Sequence, residues 1–509
     1  MHTISLNRRE FARLTAAGVT GGLLGLGHSV FGEGQIETWD PARPMIKTAK
    51  TLKVQPVFMY RLPVRREEAS WKSWGGIQTE EAVTEELARI TSELAALSAR
   101  AEFPIQIRPV VKVDSADKVS RIREQDSDVV LIYACTGSGD LLKSLFSPSK
   151  DALIFVRHRS GPIYYWYEAL STRYLETRDS EARQKAQPRT NTPHVDDVVV
   201  DDHQEILWRL RALSGVKNLM GTRVVALGGA WGKYSPEAPQ YARDKFGIEI
   251  IETSYDDLAG RIRRARADPD LVNGAEAWVE KYLALPKTVL QTEKHFVVNA
   301  FLLYKIFKDL MQENDATAFT VKSCMGTIIP MSKTTACLSL SLLNDEGRMA
   351  FCESDFVVIP AGILMYYLSG KPVFLHNSTF PHQGMVTCAH CTAPRRMDGS
   401  RYEPATLLTH YESDYGAAPK VAMPLGQEVT LLDPEYAVGR WIGFKGTVKG
   451  NPSYAICRSQ QDVEIQGKWQ KLIREARDSH WLMVYGDYLR EEGYAARKLG
   501  LLWETLTEA

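Results

Sequence analysis

Neither sign of charge is in surplus: Lys and Arg together number 62, and so do Asp and Glu. A balanced chain has no overall field to draw it to nucleic acid or to an anionic membrane, so the expected ligand is small and not selected by charge alone. Cysteine is scarce and odd in number, seven in 509 residues (Cys135, Cys324, Cys337, Cys352, Cys388, Cys391 and Cys457). That excludes a closed disulfide framework, because at least one thiol must be free or bonded to another molecule. No string matches G-x-G-x-x-G or the P-loop, so the glycines of CTGSGD (Gly137, Gly139) and LGGAWG (Gly228, Gly229, Gly232) are expected to make tight turns and not phosphate cradles. No second Cys pair accompanies Cys388-x-His390-Cys391, so a structural zinc site built on that string is not expected.

What is present is ordinary globular material, 44% hydrophobic and 24% charged, in a chain too long for one core. Residues 1–32 hold NRREFAR and then LTAAGVTGGLLGL, a basic pair followed by a Gly-rich run too short to span a bilayer comfortably. The Arg8-Arg9 pair with Phe11 resembles a twin-arginine signal, which implies export to the periplasm in a folded state, with an uncleaved anchor as the alternative. Nothing else points to a membrane. A folded passenger can carry a cofactor and reduced, buried cysteines across.

After WDPARPMIKTAK, the segment TLKVQPVFMYRLP reads as a strand and EEAVTEELARITSELAALSAR as an amphipathic helix. ADKVSRIREQDS, DVVLIYACTGSGDLLKSLF and DALIFVRHRSG continue the alternation, which argues a parallel sheet covered on both faces. A first α/β domain is expected over 50–215 and a second, opening at TRVVALGGAWG, over 216–317. HFVVNAFLLYKIFKDLMQE has the apolar spacing of a long packed helix. The remainder, 318–509, gathers cysteines, histidines and short apolar runs broken by Gly, Pro and Asn, and is expected to carry the chemistry.

Within it, CESDFVVIPAGILMYYLSGKPVF places Glu353 and Asp355 just ahead of an apolar helix. Two residues apart in an extended chain, they would point to the same side and could hold a divalent cation or share a proton. Acidic residues also suit the positive end of a helix dipole, and both readings stay open. His390 closes the apolar run MVTCAHC and is expected to face a pocket, with Cys388 and Cys391 as small buried hydrophobes. His376 and His382 flank a polar loop, where surface histidines are common, and His480 opens an apolar stretch in DSHWLMVYGD.

The order of NDEG, then CESD ahead of ILMYYLSGKPVF, then AHCTAP, then DSHWLMVYGDY and AARKLGL resembles the C-terminal domain of the L-fucose/L-arabinose isomerase superfamily over residues 318 to 509. The resemblance implies two Rossmann-like three-layer α/β domains followed by a mixed α/β C-terminal domain. It implies an aldose-ketose isomerase acting on a fucose- or arabinose-type monosaccharide through an enediol, assembled as a trimer or hexamer. Asp355 and His480 map onto the family's metal ligands, with Glu353 as a further ligand or the base and His390 lining the sugar site. Mn²⁺ suits such oxygen and imidazole ligands, with Mg²⁺, Fe²⁺ or Co²⁺ as alternatives. The family's second carboxylate has no counterpart, since SCMGTIIPMSKTTACLSLSLLND offers none before Asp345. An exported sugar-binding protein without turnover, or a related metal-dependent epimerase or lyase, are therefore the competing expectations.

Overall fold

The computed structural model describes residues 39–64, 77–159, 184–475 and 478–506, with a few isolated positions between these stretches. The expected signal segment, 1–32, lies outside the described residues.

The first sheet consists of Leu52–Met59, Ile105–Ile107, Val111–Val113, Val129–Ala134, Asp151–Val156 and Val198–Val200, all paired in parallel. Along Val129–Ala134, Val129, Leu131 and Tyr133 enter one apolar cluster while Val130, Ile132 and Ala134 enter another. A strand that is apolar on both faces needs cover on both. The helices Glu80–Ala99 and His203–Leu219 supply one layer, and Val119–Glu124 with Gly139–Ser144 the other. Glu80–Ala99 starts where expected because the Thr79 hydroxyl caps it, accepting the Ala82 N–H at 3.3 Å.

The second sheet runs in the order Met349–Phe351, Ala318–Val321, Arg223–Leu227, Glu249–Thr253, again parallel throughout. Two of its strands lie beyond the expected domain boundary at 317/318, which therefore cuts through a sheet. Parallel neighbours require a crossover, and the helix Lys294–Glu313 with the strand that follows it is one of these.

The third sheet is antiparallel and barrel-like, in the order Glu428–Glu435, His480–Tyr485, Phe374–Ser378, Met385–His390, Ser459–Gln466 and Arg440–Gly450. The long strand Arg440–Gly450 also pairs with Glu428–Glu435 and closes the ring, while Leu502–Thr505 joins it in parallel. A small sheet of Tyr415–Val421, Ala405–His410 and Thr288–Leu290 completes the set.

Ile359–Ser369, apolar on every side, is buried, and it packs against His203–Leu219. The approach is close enough that a Cβ on Gly215 would fall 2.6 Å from Leu368. One apolar cluster thus runs from the first sheet through this helix to the second sheet and the barrel. The described residues from Trp39 to Leu506 fall within one compact unit. All seven cysteines are free.

Candidate metal centre

Two loops leave the carboxyl ends of parallel strands and meet. The first follows Arg223–Leu227. Gly228 has φ +82°, and a Cβ there would lie 2.2 Å from the Tyr255 hydroxyl, so glycine alone lets the chain turn at this point. The turn delivers Trp231, which forms an isolated parallel bridge with Asp355.

The second loop follows Met349–Phe351 and carries Glu353 and Ser354, consecutive non-glycine residues at φ +61° and +52°. Each left-handed residue of this kind costs about 1–2 kcal/mol, and such strain gathers at functional sites. It is held in place by the Ser354 N–H donating to Thr320 Oγ1 at 3.0 Å and the Ser354 hydroxyl donating to the Gly229 carbonyl at 2.8 Å.

The barrel contributes two histidines. His390 ends Met385–His390 and His480 begins His480–Tyr485, the strands on either side of Phe374–Ser378. Asn377 of that middle strand lies opposite both Ala389 and His480, so the register brings the two imidazoles to the same end of the barrel, 6.1 Å apart between ring centres.

At the meeting point Asp355 Oδ2 lies 2.7 Å from His480 Nδ1, with both side chains fully buried. Asp355 Oδ1 accepts the backbone N–H groups of Lys233 at 3.0 Å and Val357 at 3.2 Å. Glu353 Oε2 stands 3.6 Å from His480 Nε2, and Glu353 Oε1 stands 3.9 Å from His390 Nε2. Lys233 Nζ sits between them, 3.2 Å from Glu353 Oε2 and 3.3 Å from His480 Nε2. His390 Nδ1 is 3.0 Å from the Thr392 hydroxyl. The Glu353 side chain remains 35% exposed and Lys233 17%, so the cluster touches solvent on that side.

One carboxylate oxygen of Glu353 and one nitrogen each from His390 and His480 lie within 4.8 Å of one another. One oxygen and two imidazole nitrogens make a donor set that fits a divalent cation. Asp355 adjoins this set and does not enter it. Its oxygens are spent on the His480 ring and on two backbone donors, the position from which a carboxylate orients a ligating histidine. Glu353 and Asp355 do converge, but not through an extended backbone. The left-handed turn lets them address opposite nitrogens of one imidazole. They also stand ahead of the helix proper, which begins at Ile359.

Charge follows the geometry. Burial would depress the His480 imidazole, but its bonds to Asp355 and Glu353 outweigh that and raise it to about 9. Burial works against the Glu353 carboxylate too, yet His390 and His480 hold it well below the usual carboxylate range. His390 is lowered, because burial outweighs its contact with Glu353.

His376, expected at the surface, is instead fully buried in Phe374–Ser378, and burial pushes it down to about 3. His382 is exposed as expected. Lys233 is the site residue that the sequence reading missed. The available signal was its place just after a glycine turn at the carboxyl end of a buried strand, where parallel sheets carry ligands. Comparison of the sequence with protein-family models and with curated proteins finds no match to either.

Proposed function

We propose that this cluster binds a divalent cation and a monosaccharide and catalyses aldose-ketose isomerisation, the activity implied by the C-terminal motifs. The observation that carries the reading is the convergence of Glu353, His390 and His480 within 4.8 Å, at a place that solvent reaches. Mn²⁺ is the expected metal; when bound, it would polarise the neighbouring carbonyl and hydroxyl oxygens of the sugar.

The chain supplies the rest. Asp355 fixes the His480 ring through Nδ1 and leaves Nε2 facing Glu353 and Lys233. Asp345, the one carboxylate in SCMGTIIPMSKTTACLSLSLLND, is buried and accepts the backbone N–H groups of Arg395 and Arg396, and Glu346 after it is paired with Lys308 and Arg348, so neither replaces the family's missing base. Proton transfer therefore falls to Glu353 with Lys233 beside it at 3.2 Å. The proton leaving C2 returns at C1 and the O2 hydroxyl proton passes to O1, so an enediol connects two isomers of the same composition.

A second reading, sugar binding without turnover, is favoured by Lys233, whose ammonium already pairs with Glu353. Incubating Mn²⁺-loaded protein with a panel of aldoses in deuterated water distinguishes the two. Isomerisation gives ketose carrying deuterium at C1, whereas saturable sugar binding with no exchange and no ketose supports the second reading.

A further inference from the structure

Behind His390 the chain turns over, and Cys391 enters a different environment. Its side chain packs against those of Cys337 and Cys457. Cys337 opens the helix Cys337–Glu346, His410 ends the strand Ala405–His410, and Cys457 lies in the loop before Ser459–Gln466. The sulfurs of Cys337 and Cys391 and a ring nitrogen of His410 lie within 4.8 Å of one another, and all three residues are buried. Cys457 packs against the same cluster, half-buried.

We propose that Cys337, Cys391, Cys457 and His410 form a second metal site, one for a thiophilic divalent cation such as zinc. Three sulfurs and one imidazole match the soft donor set of a closed tetrahedral zinc site. Zn–S bonds of about 2.3 Å place tetrahedral ligand atoms about 3.8 Å apart, so the 4.8 Å span of Cys337, Cys391 and His410 closes by small side-chain rotations, and Cys457, packed beside them, would turn in as the fourth ligand. Their mutual contacts and burial push the three thiols up, so the thiolates would form only with the metal; the Arg458 N–H donates to Cys391 Sγ at 3.3 Å, and the Ser413 hydroxyl lies 3.1 Å from His410 Nδ1, where it holds the ring. Four ligands from four distant segments would tie the small sheet, the barrel and the helix Cys337–Glu346 together, and would anchor the strand end that carries His390. Cys388 takes no part. It is enclosed in a separate apolar cluster, so the CAHC string contributes one ligand and not two.

The inference is independent of the reading of the first site, and the test keeps them apart. Reduced, metal-free full-length protein is titrated with Co²⁺. One equivalent should produce a thiolate-to-cobalt charge-transfer band together with intense tetrahedral visible bands. Cys391→Ser and Cys337→Ser should abolish the band, whereas Cys388→Ser and His480→Asn should leave it intact. If the core variants fail to fold, the wild-type spectrum and the half-buried Cys457→Ser, expected to weaken the band, still decide. No charge-transfer band in folded, reduced wild type overturns the proposal. So does a Cys391 disulfide, found by mass spectrometry in the protein as isolated before reduction.

Discussion

His480 is held at both ring nitrogens, with Asp355 Oδ2 2.7 Å from Nδ1 and Glu353 Oε2 3.6 Å from Nε2. The two carboxylates are neighbours in sequence, yet they have different work. Asp355 is fully buried and committed, while Glu353 is part-exposed.

Asp355→Asn removes the closer anchor. In chelator-treated protein, NMR titration of His480 should show its pKa falling from about 9, because burial then prevails. Breaking one partner of a buried pair costs about 3–5 kcal/mol. The raised imidazole stabilises the fold below its unfolded value near 6.5, and that contribution is lost as pH rises through about 9. The stability gap between wild type and variant should therefore narrow from pH 6.5 to 9. A constant gap would assign Asp355 to packing alone.

Lys233→Met removes a cation 3.2 Å from Glu353 and 3.3 Å from His480. Calorimetry should show tighter Mn²⁺ binding, since a competing positive charge is gone. If Lys233 assists proton transfer, turnover should fall by about 10² or more. Looser metal binding in the variant would contradict the placement of Lys233 at the ligand oxygen.

The parts of this arrangement that were legible in the sequence are local. Alternating buried strands and helices follow from apolar periodicity, and the E-x-D string with His390 and His480 at strand ends follows from short motifs. What stayed hidden depends on pairing between distant segments. The Lys233 N–H meets Asp355 across 122 residues, and only the order of the second sheet brings them together. The boundary at 317/318 failed for the same reason, because Ala318–Val321 pairs back to Arg223–Leu227. Cys391 looked like a small hydrophobe while its partners, Cys337, His410 and Cys457, were scattered along the chain.

Export rests on residues outside the described ones. Replacing Arg8 and Arg9 together by Lys should leave the protein in the cytoplasm, as read by immunoblotting of periplasmic and cytoplasmic fractions. An unchanged periplasmic fraction would reject the twin-arginine reading.

Asp345 gives a pH test that uses none of the residues proposed as metal ligands. It lies in the last turn of Cys337–Glu346, 2% exposed, and its Oδ1 accepts the Arg395 and Arg396 N–H groups at 2.7 and 2.8 Å. Its Oδ2 has no partner. Burial pushes the carboxyl up to about 7, and the two N–H donors only partly oppose this. The folded state thus holds a proton that the unfolded chain releases near 3.8. A raised value stabilises fully below about pH 4, and the contribution disappears as pH climbs to about 7. Three pH units correspond to roughly 4 kcal/mol. Asp345→Asn keeps an oxygen for the two donors and cannot ionise. Urea midpoints of wild type and variant should nearly coincide at pH 4, diverge in favour of the variant up to pH 7, and run parallel above it. Subtracting one curve from the other cancels the titration of every other group. A difference independent of pH would mean that Asp345 stays charged in the fold, and that Arg395 and Arg396 compensate its burial.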